Sequence, residues 1–174
     1  MKKTKGMIEI AICIALAVVC SLIKVWEMPQ GGSIALTMIP LLLLAYRRGP
    51  VAGIIGGALY GVVSMLMAGV IYHPMSILLD YVLAFGVLGV AGFFPKTLSG
   101  IIAGSCVGVA GRFISSVISG AVLFAEYAPE GQNPWVYSLG YQATYMVPEL
   151  IIALVVLILL FYKAKALFIP KENH

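Results

Sequence analysis

Apolar residues run almost unbroken through six stretches of this chain, at about 8–25, 34–46, 51–71, 76–94, 98–124 and 139–162, separated by Gly, Pro and charged residues. A bilayer core is roughly 30 Å thick, so a helix needs about 20 apolar residues to cross it. Within lipid every backbone N–H and C=O must find its partner inside the element, which helices achieve alone. The chain is therefore expected to be an all-α integral membrane protein of six transmembrane helices in a single domain over residues 1–174. Only 10% of its residues are charged and 61% are hydrophobic, too few charges to cover a soluble domain. The second stretch is short and contains Pro40, which lacks a backbone donor; this predicts a Pro-interrupted helix lodged against protein.

The N-terminal "MKKTKG" followed by an apolar run has the outline of a secretory leader, but no small-x-small site closes the run, and it is read as the first helix. Lys2, Lys3, Lys5, Arg47, Arg48, Lys96, Lys163, Lys165 and Lys171 all fall on one side of a six-span topology. By the positive-inside rule that side is cytoplasmic and holds both termini. The formal charge of +4 is then explained by topology and anionic lipid, without nucleic acid as a partner. Cys13, Cys20 and Cys106 sit inside apolar runs without metal-ligand spacing and are read as small core hydrophobes, so neither a metal nor another cofactor is expected.

Packing is written in small residues. Gly53, Gly57 and Gly61 recur at every fourth position in the third stretch, and Gly100, Gly104 and Gly108 do so in the fifth. Such stripes let helix backbones approach closely where no hydrophobic force drives association. Ala11 and Ala15 form a weaker stripe on the first helix, which either packs internally or is offered to another membrane protein.

Three ionisable residues fall inside spans: Asp80, Arg112 and Glu149. At 1.5 Å per residue they lie about 6, 13–18 and 15 Å below the outer ends of their helices. A charge at such depth is costly and must face the bundle interior with a partner. Arg112 pairs with Asp80 or with Glu149, and either choice leaves one acid for a proton or an incoming cation. The outer connections, "WEMPQGGS", "GVIYHP" and "FAEYAPEGQNPWVYS", carry both tryptophans of the chain. Tyr137, Tyr141 and Tyr145 share one face of the last helix beside Gln142 and Glu149. An aromatic wall with hydroxyl and amide groups suits a flat heterocycle bearing positive charge.

Two other classes of function would also place acids inside spans. A small intramembrane enzyme would use Asp80 and Glu149 as acid and base, but the chain has no HExxH motif and no serine with a histidine at helical reach. A channel or exchanger would need charges along the whole depth or an internal duplication, and the cytoplasmic half has neither.

Taken together, "MPQGGS" at 28–33, "MIP" at 38–40, "HP" at 73–74, "LLDYVLAF" at 78–85, "GRF" at 111–113, "SGAVLF" at 119–124 and "YAPEGQNPWVYSLGYQATYMVPE" at 127–149 resemble the thiamine-specific S components of energy-coupling factor transporters. That resemblance implies a bacterial plasma-membrane subunit that captures thiamine at the outer face. It implies association with a transmembrane coupling subunit and two cytoplasmic ATPases, and the chain itself has no GxxxxGK[ST] loop. It places Asp80 and Tyr81 against the polar and charged parts of the ligand, Arg112 as a brace for the acid, and Tyr137 and Gln142 near the aminopyrimidine ring. Trp26 and the loop of Met28, Pro29, Gln30, Gly31, Gly32 and Ser33 match the segment that folds over the vitamin, and Trp135 belongs to the last outer loop. Ala11 and Ala15 match the face that meets the coupling subunit. Some members carry histidine in place of Ser116, asparagine in place of Gln142 and glutamate in place of Asp80, so a related heterocycle such as hydroxymethylpyrimidine or pyridoxine is the alternative ligand. The loop itself reads as a hinged lid, because its glycines reach backbone angles other residues avoid while Pro29 limits its routes.

Overall fold

The computed structural model describes residues 2–28, 32–68 and 73–169. Among these residues, α1 (Lys2–Leu22), α2 (Met38–Arg48), α3 (Pro50–Ala68), α4 (Pro74–Phe93), α5 (Leu98–Val122) and α6 (Pro134–Lys163) form the bundle. Two short strands, β1 (Lys24–Glu27) and β2 (Ser33–Ala35), separate α1 from α2. Five helices, all except α2, are long and apolar enough to cross a membrane.

The second apolar stretch folds differently from its expectation. Its first residues pair as a strand, with Trp26 opposite Ile34 and Glu27 opposite Ser33, and helix begins only at Met38. Pro40 does not interrupt that helix, because it is the third residue of α2, in the first turn, where backbone N–H groups have no intrahelical partner to lose. The 11 residues of α2 span only about 16 Å. Met38, Leu41, Leu42, Leu44, Ala45 and Tyr46 are all buried, so this short helix is wrapped by the others instead of facing lipid. Tyr46 donates its hydroxyl hydrogen to the Ile101 carbonyl at 2.7 Å, which satisfies its polar atom inside the core.

The glycine stripe of α3 faces α4. A Cβ added at Gly57 would lie 2.2 Å from the Phe85 carbonyl oxygen, so the two backbones touch directly. α4 is not a uniform helix: it is widened to a π-helical stretch over Ile77–Leu83 and tightened to a 3-10 stretch over Val87–Phe93. Its wide part carries Asp80 and Tyr81. α5 packs on both α4 and α6, and thus lies between the two acids named above. Of the cysteines, Cys13 is buried but Cys106 is exposed on α5, where surrounding lipid tolerates a thiol as well as a core does.

The two ends of the bundle differ. At one end Glu9 accepts from Arg47 Nε at 2.9 Å and from Arg48 Nε at 2.5 Å, while Arg47 Nη1 donates to the carbonyls of Ala166 and Leu167 at 3.0 Å each. This clamp gathers the start of α1, the end of α2 and the tail after α6. Phe168 is buried beside it, with its ring 6.2 Å from that of Tyr46. At the other end the β1–β2 pair lies over the first half of α6.

Candidate functional site

The site is built around α5, whose residues Arg112, Ser116 and Ser119 recur at helical spacing and are all buried. Arg112 Nη1 donates to Glu149 Oε2 at 3.3 Å, and its guanidinium lies 4.5 Å from the centre of the Phe85 ring. Glu149 is only 2% exposed, so this is a buried ion pair between α5 and α6. The pairing left open by the residues alone is thus decided for Glu149. Arg112 Nε is buried without a hydrogen-bond partner among the described residues.

Asp80 is the acid left over. It is partly buried on the wide stretch of α4, and Ser119 Oγ donates to its Oδ2 at 2.5 Å. None of the ion pairs formed among the described residues includes it. Tyr81 follows it, also partly buried.

On α6 the three tyrosines stand in a column. Ring centres of Tyr137 and Tyr141 are 6.1 Å apart, as are those of Tyr141 and Tyr145. Tyr145 donates its hydroxyl hydrogen to Gln142 Oε1, and Gln142 Nε2 donates to the Ser116 carbonyl at 3.2 Å. The amide is thereby fixed between a ring on its own helix and the backbone of α5. Ser138 Oγ donates to the Val117 carbonyl at 2.9 Å, a second tie between the same helices.

From above, Gly32 descends onto this column. Its backbone N–H donates to the Tyr141 hydroxyl at 3.3 Å, and a Cβ in its place would sit 2.7 Å from the Tyr145 ring. Only glycine permits such an approach of backbone to ring. Met28 N–H donates to the Gly32 carbonyl at 2.6 Å, closing the base of the loop. Ser33 starts β2, and Pro29, Gln30 and Gly31 lie outside the described residues.

The sequence-predicted residues are therefore only partly gathered. Three separate contacts hold six of them: Arg112 with Glu149, Asp80 with Ser119, and Tyr145 with Gln142 and the Ser116 carbonyl, while Tyr137 and Tyr141 continue the ring column from Tyr145. Trp26 and Trp135 stand apart, 63% and 47% exposed. Ala11 and Ala15 are on the exposed side of α1, whereas Cys13 and Ala17 turn inward. Residues that sequence reasoning passed over include Ser119 and Phe85, each inside a quoted motif but given no role of its own. Also passed over was a hollow of about 370 Å³ lined by His73, Phe124 and Glu126, among others, at the same end of the bundle. A separate apolar groove of about 220 Å³ runs between α3 and α4, lined by Ile54, Ala58, Val82 and Val87 among others, away from the polar set.

Comparison with known proteins agrees in length and fold. A family model described as thiamine transporter protein (Thia_YuaJ) matches residues 7–169. A Bacillus subtilis (strain 168) protein named thiamine transporter ThiT is 39% identical over 182 residues, covering 95% of both chains. A Lacticaseibacillus paracasei protein of the same name is 29% identical over 153 residues, covering 78% of this chain and 76% of its own. A solved structure of ThiT from Listeria monocytogenes matches with a TM-score of 0.87 at 25% identity, over 98% of this chain and 100% of that one. With residues 7–169 matched by the family model and a relative 39% identical along nearly its whole length, the chain belongs to the thiamine transporter protein family.

Proposed function

We propose that this chain is the thiamine-capturing S component of an energy-coupling factor transporter in a bacterial plasma membrane. One observation carries the reading: among the described residues Arg112 forms its ion pair with Glu149, and Asp80 accepts a hydrogen bond from Ser119 without an ion pair of its own. Thiamine is a flat, cationic heterocycle with an aminopyrimidine. A carboxylate that forms no ion pair among the described residues offers it charge, and the tyrosine rings offer stacking and cation–π attraction. In this reading Gln142 and Tyr137 serve the aminopyrimidine side and Tyr81 the polar and charged side. The hairpin from Trp26 to Ser33 is the lid, seated through Gly32 on the same rings. Nothing in the geometry favours hydroxymethylpyrimidine or pyridoxine over thiamine.

In this reading α2, completed by the extended β2, is the sixth crossing, and both termini are cytoplasmic at the end where Glu9 meets Arg47 and Arg48. Strands rise about 3.3 Å per residue, so a short strand adds depth that an 11-residue helix lacks. Capture and translocation are then separate tasks. The second belongs to a coupling subunit that meets α1 through Ala11 and Ala15, and to two cytoplasmic ATPases.

Both halves are tested on purified protein and on cells. Tryptophan fluorescence of the chain in detergent is expected to saturate with thiamine and to stay flat with pyridoxine and riboflavin; an equal response to pyridoxine would remove the specificity. Ala11→Trp is expected to abolish thiamine uptake in cells carrying the partner subunits while the purified variant binds thiamine as the wild type does. Loss of binding as well would mean that this face serves the bundle itself.

A further inference from the structure

Two serines one helical turn apart on α5 hold the wide stretch of α4. Ser115 Oγ donates to the Leu79 carbonyl at 2.6 Å, and Ser119 Oγ donates to Asp80 Oδ2 at 2.5 Å. Ser119 is fully buried, so its hydroxyl has no water to satisfy it and the carboxylate is its fixed partner. A π-helical stretch is a departure from regular helix that recurs at functional positions, and here the backbone oxygen just before the acid is tied down together with the acid itself. The bond to Oδ2 anchors that oxygen on α5 and leaves Oδ1 to meet other groups. A carboxylate on a free rotor would have to be ordered each time ligand bound, at a cost in affinity.

We infer that Ser119 is a positioning residue for thiamine capture: it orients Asp80 toward the ligand while touching only the carboxylate, and Ser115 holds the turn that carries it. The inference rests on the thiamine-binding reading above. A serine in a membrane helix ordinarily ties one helix to its neighbour, and that simpler role predicts a loss of stability without a specific effect on the acid.

The sequence supplies a selective probe, since Asp80 is the only aspartate in the chain. Protein labelled with ¹³C at the aspartate carboxyl carbon gives the signal of this one side chain by infrared difference or solid-state NMR spectroscopy. Ser119→Ala is expected to shift that signal in the ligand-free protein and to weaken thiamine binding by about tenfold, the effect of losing one hydrogen bond to a charged group. Its thermal midpoint should stay close to that of the wild type. Should the alanine variant not fold, Ser119→Cys, of similar size and weaker as a donor, is read in the same two ways. Thiamine affinity within twofold of the wild type overturns the inference. So does a fall in affinity with the carboxyl signal unmoved, which marks a merely structural serine. A wild-type protein that failed to bind thiamine would instead strike the function proposed above, and the labelled signal would still report whether Ser119 holds Asp80.

Discussion

Asp80→Asn is expected to weaken thiamine binding by about tenfold or more, with little change in the amount of folded protein. Asparagine keeps the shape of aspartate and an oxygen to accept from Ser119, so the α4–α5 contact survives. What disappears is the negative charge. Hydrogen bonds and contacts made to a charged group contribute about 1.5–3 kcal/mol, and each 1.4 kcal/mol is a factor of about ten in affinity. Glu149 cannot substitute, because its carboxylate is already held by Arg112 and almost fully buried. Calorimetric titration decides the point: an Asp80→Asn protein with unaltered affinity would remove this residue from the site.

The largest effect on folding is expected from Gly57→Ala. The added methyl would sit 2.2 Å from the Phe85 carbonyl oxygen and 2.8 Å from its carbon, both parts of the α4 backbone that no side-chain rotation can move. α3 and α4 would have to separate along a seam where each backbone packs on the other. Overpacking a close-fitted interior costs roughly 1–3 kcal/mol and sometimes more, and here the whole glycine seam shares the displacement. Gly140→Ala is the matched control, since that residue lies in α6 with nothing within 4 Å of the added carbon. Thermal unfolding in detergent should show a lowered midpoint or lost expression for Gly57→Ala and wild-type behaviour for Gly140→Ala. Equal stability of the two variants would mean that the α3–α4 seam is looser than its geometry.

Features written in residue type and period were legible from the sequence. The glycine stripe of α3 needs only its four-residue spacing to be recognised, and it does face a neighbouring backbone. Asp80, Arg112 and Glu149 announce themselves because a charge inside an apolar run has no cheap place to go. The tyrosine column follows from the same arithmetic applied to aromatic residues. Even the surplus of one carboxylate over one guanidinium could be counted, although which acid stayed behind needed the packing of α5 between α4 and α6.

Other features depend on contacts distant in sequence. No proline or glycine marks the wide stretch of α4, so nothing local in "ILLDYVL" announces it; Ser115, on another helix, ties it down. Ser119 reads as one more small residue in a helix of small residues until its partner is seen. The hairpin was missed because "VWE" and "SIA" are too short to show alternation. By contrast, the early start of α6 had a readable signal: Asn133 accepts from the Trp135 N–H at 2.9 Å with Pro134 in the first turn, an ordinary helix start set five residues ahead of the apolar run. Glu9 was also readable, as an acid near the basic pair Arg47 and Arg48, which topology alone had seemed to explain.

The most direct test of the central claim is an experimental structure of the chain with thiamine bound. The vitamin is expected beneath the hairpin, with its rings against Tyr141 and Tyr145 and an Asp80 oxygen within hydrogen-bond distance, the Arg112–Glu149 pair remaining intact beside it. Thiamine lodged in the apolar groove between α3 and α4, or held by Glu149 with Asp80 turned away, would contradict it.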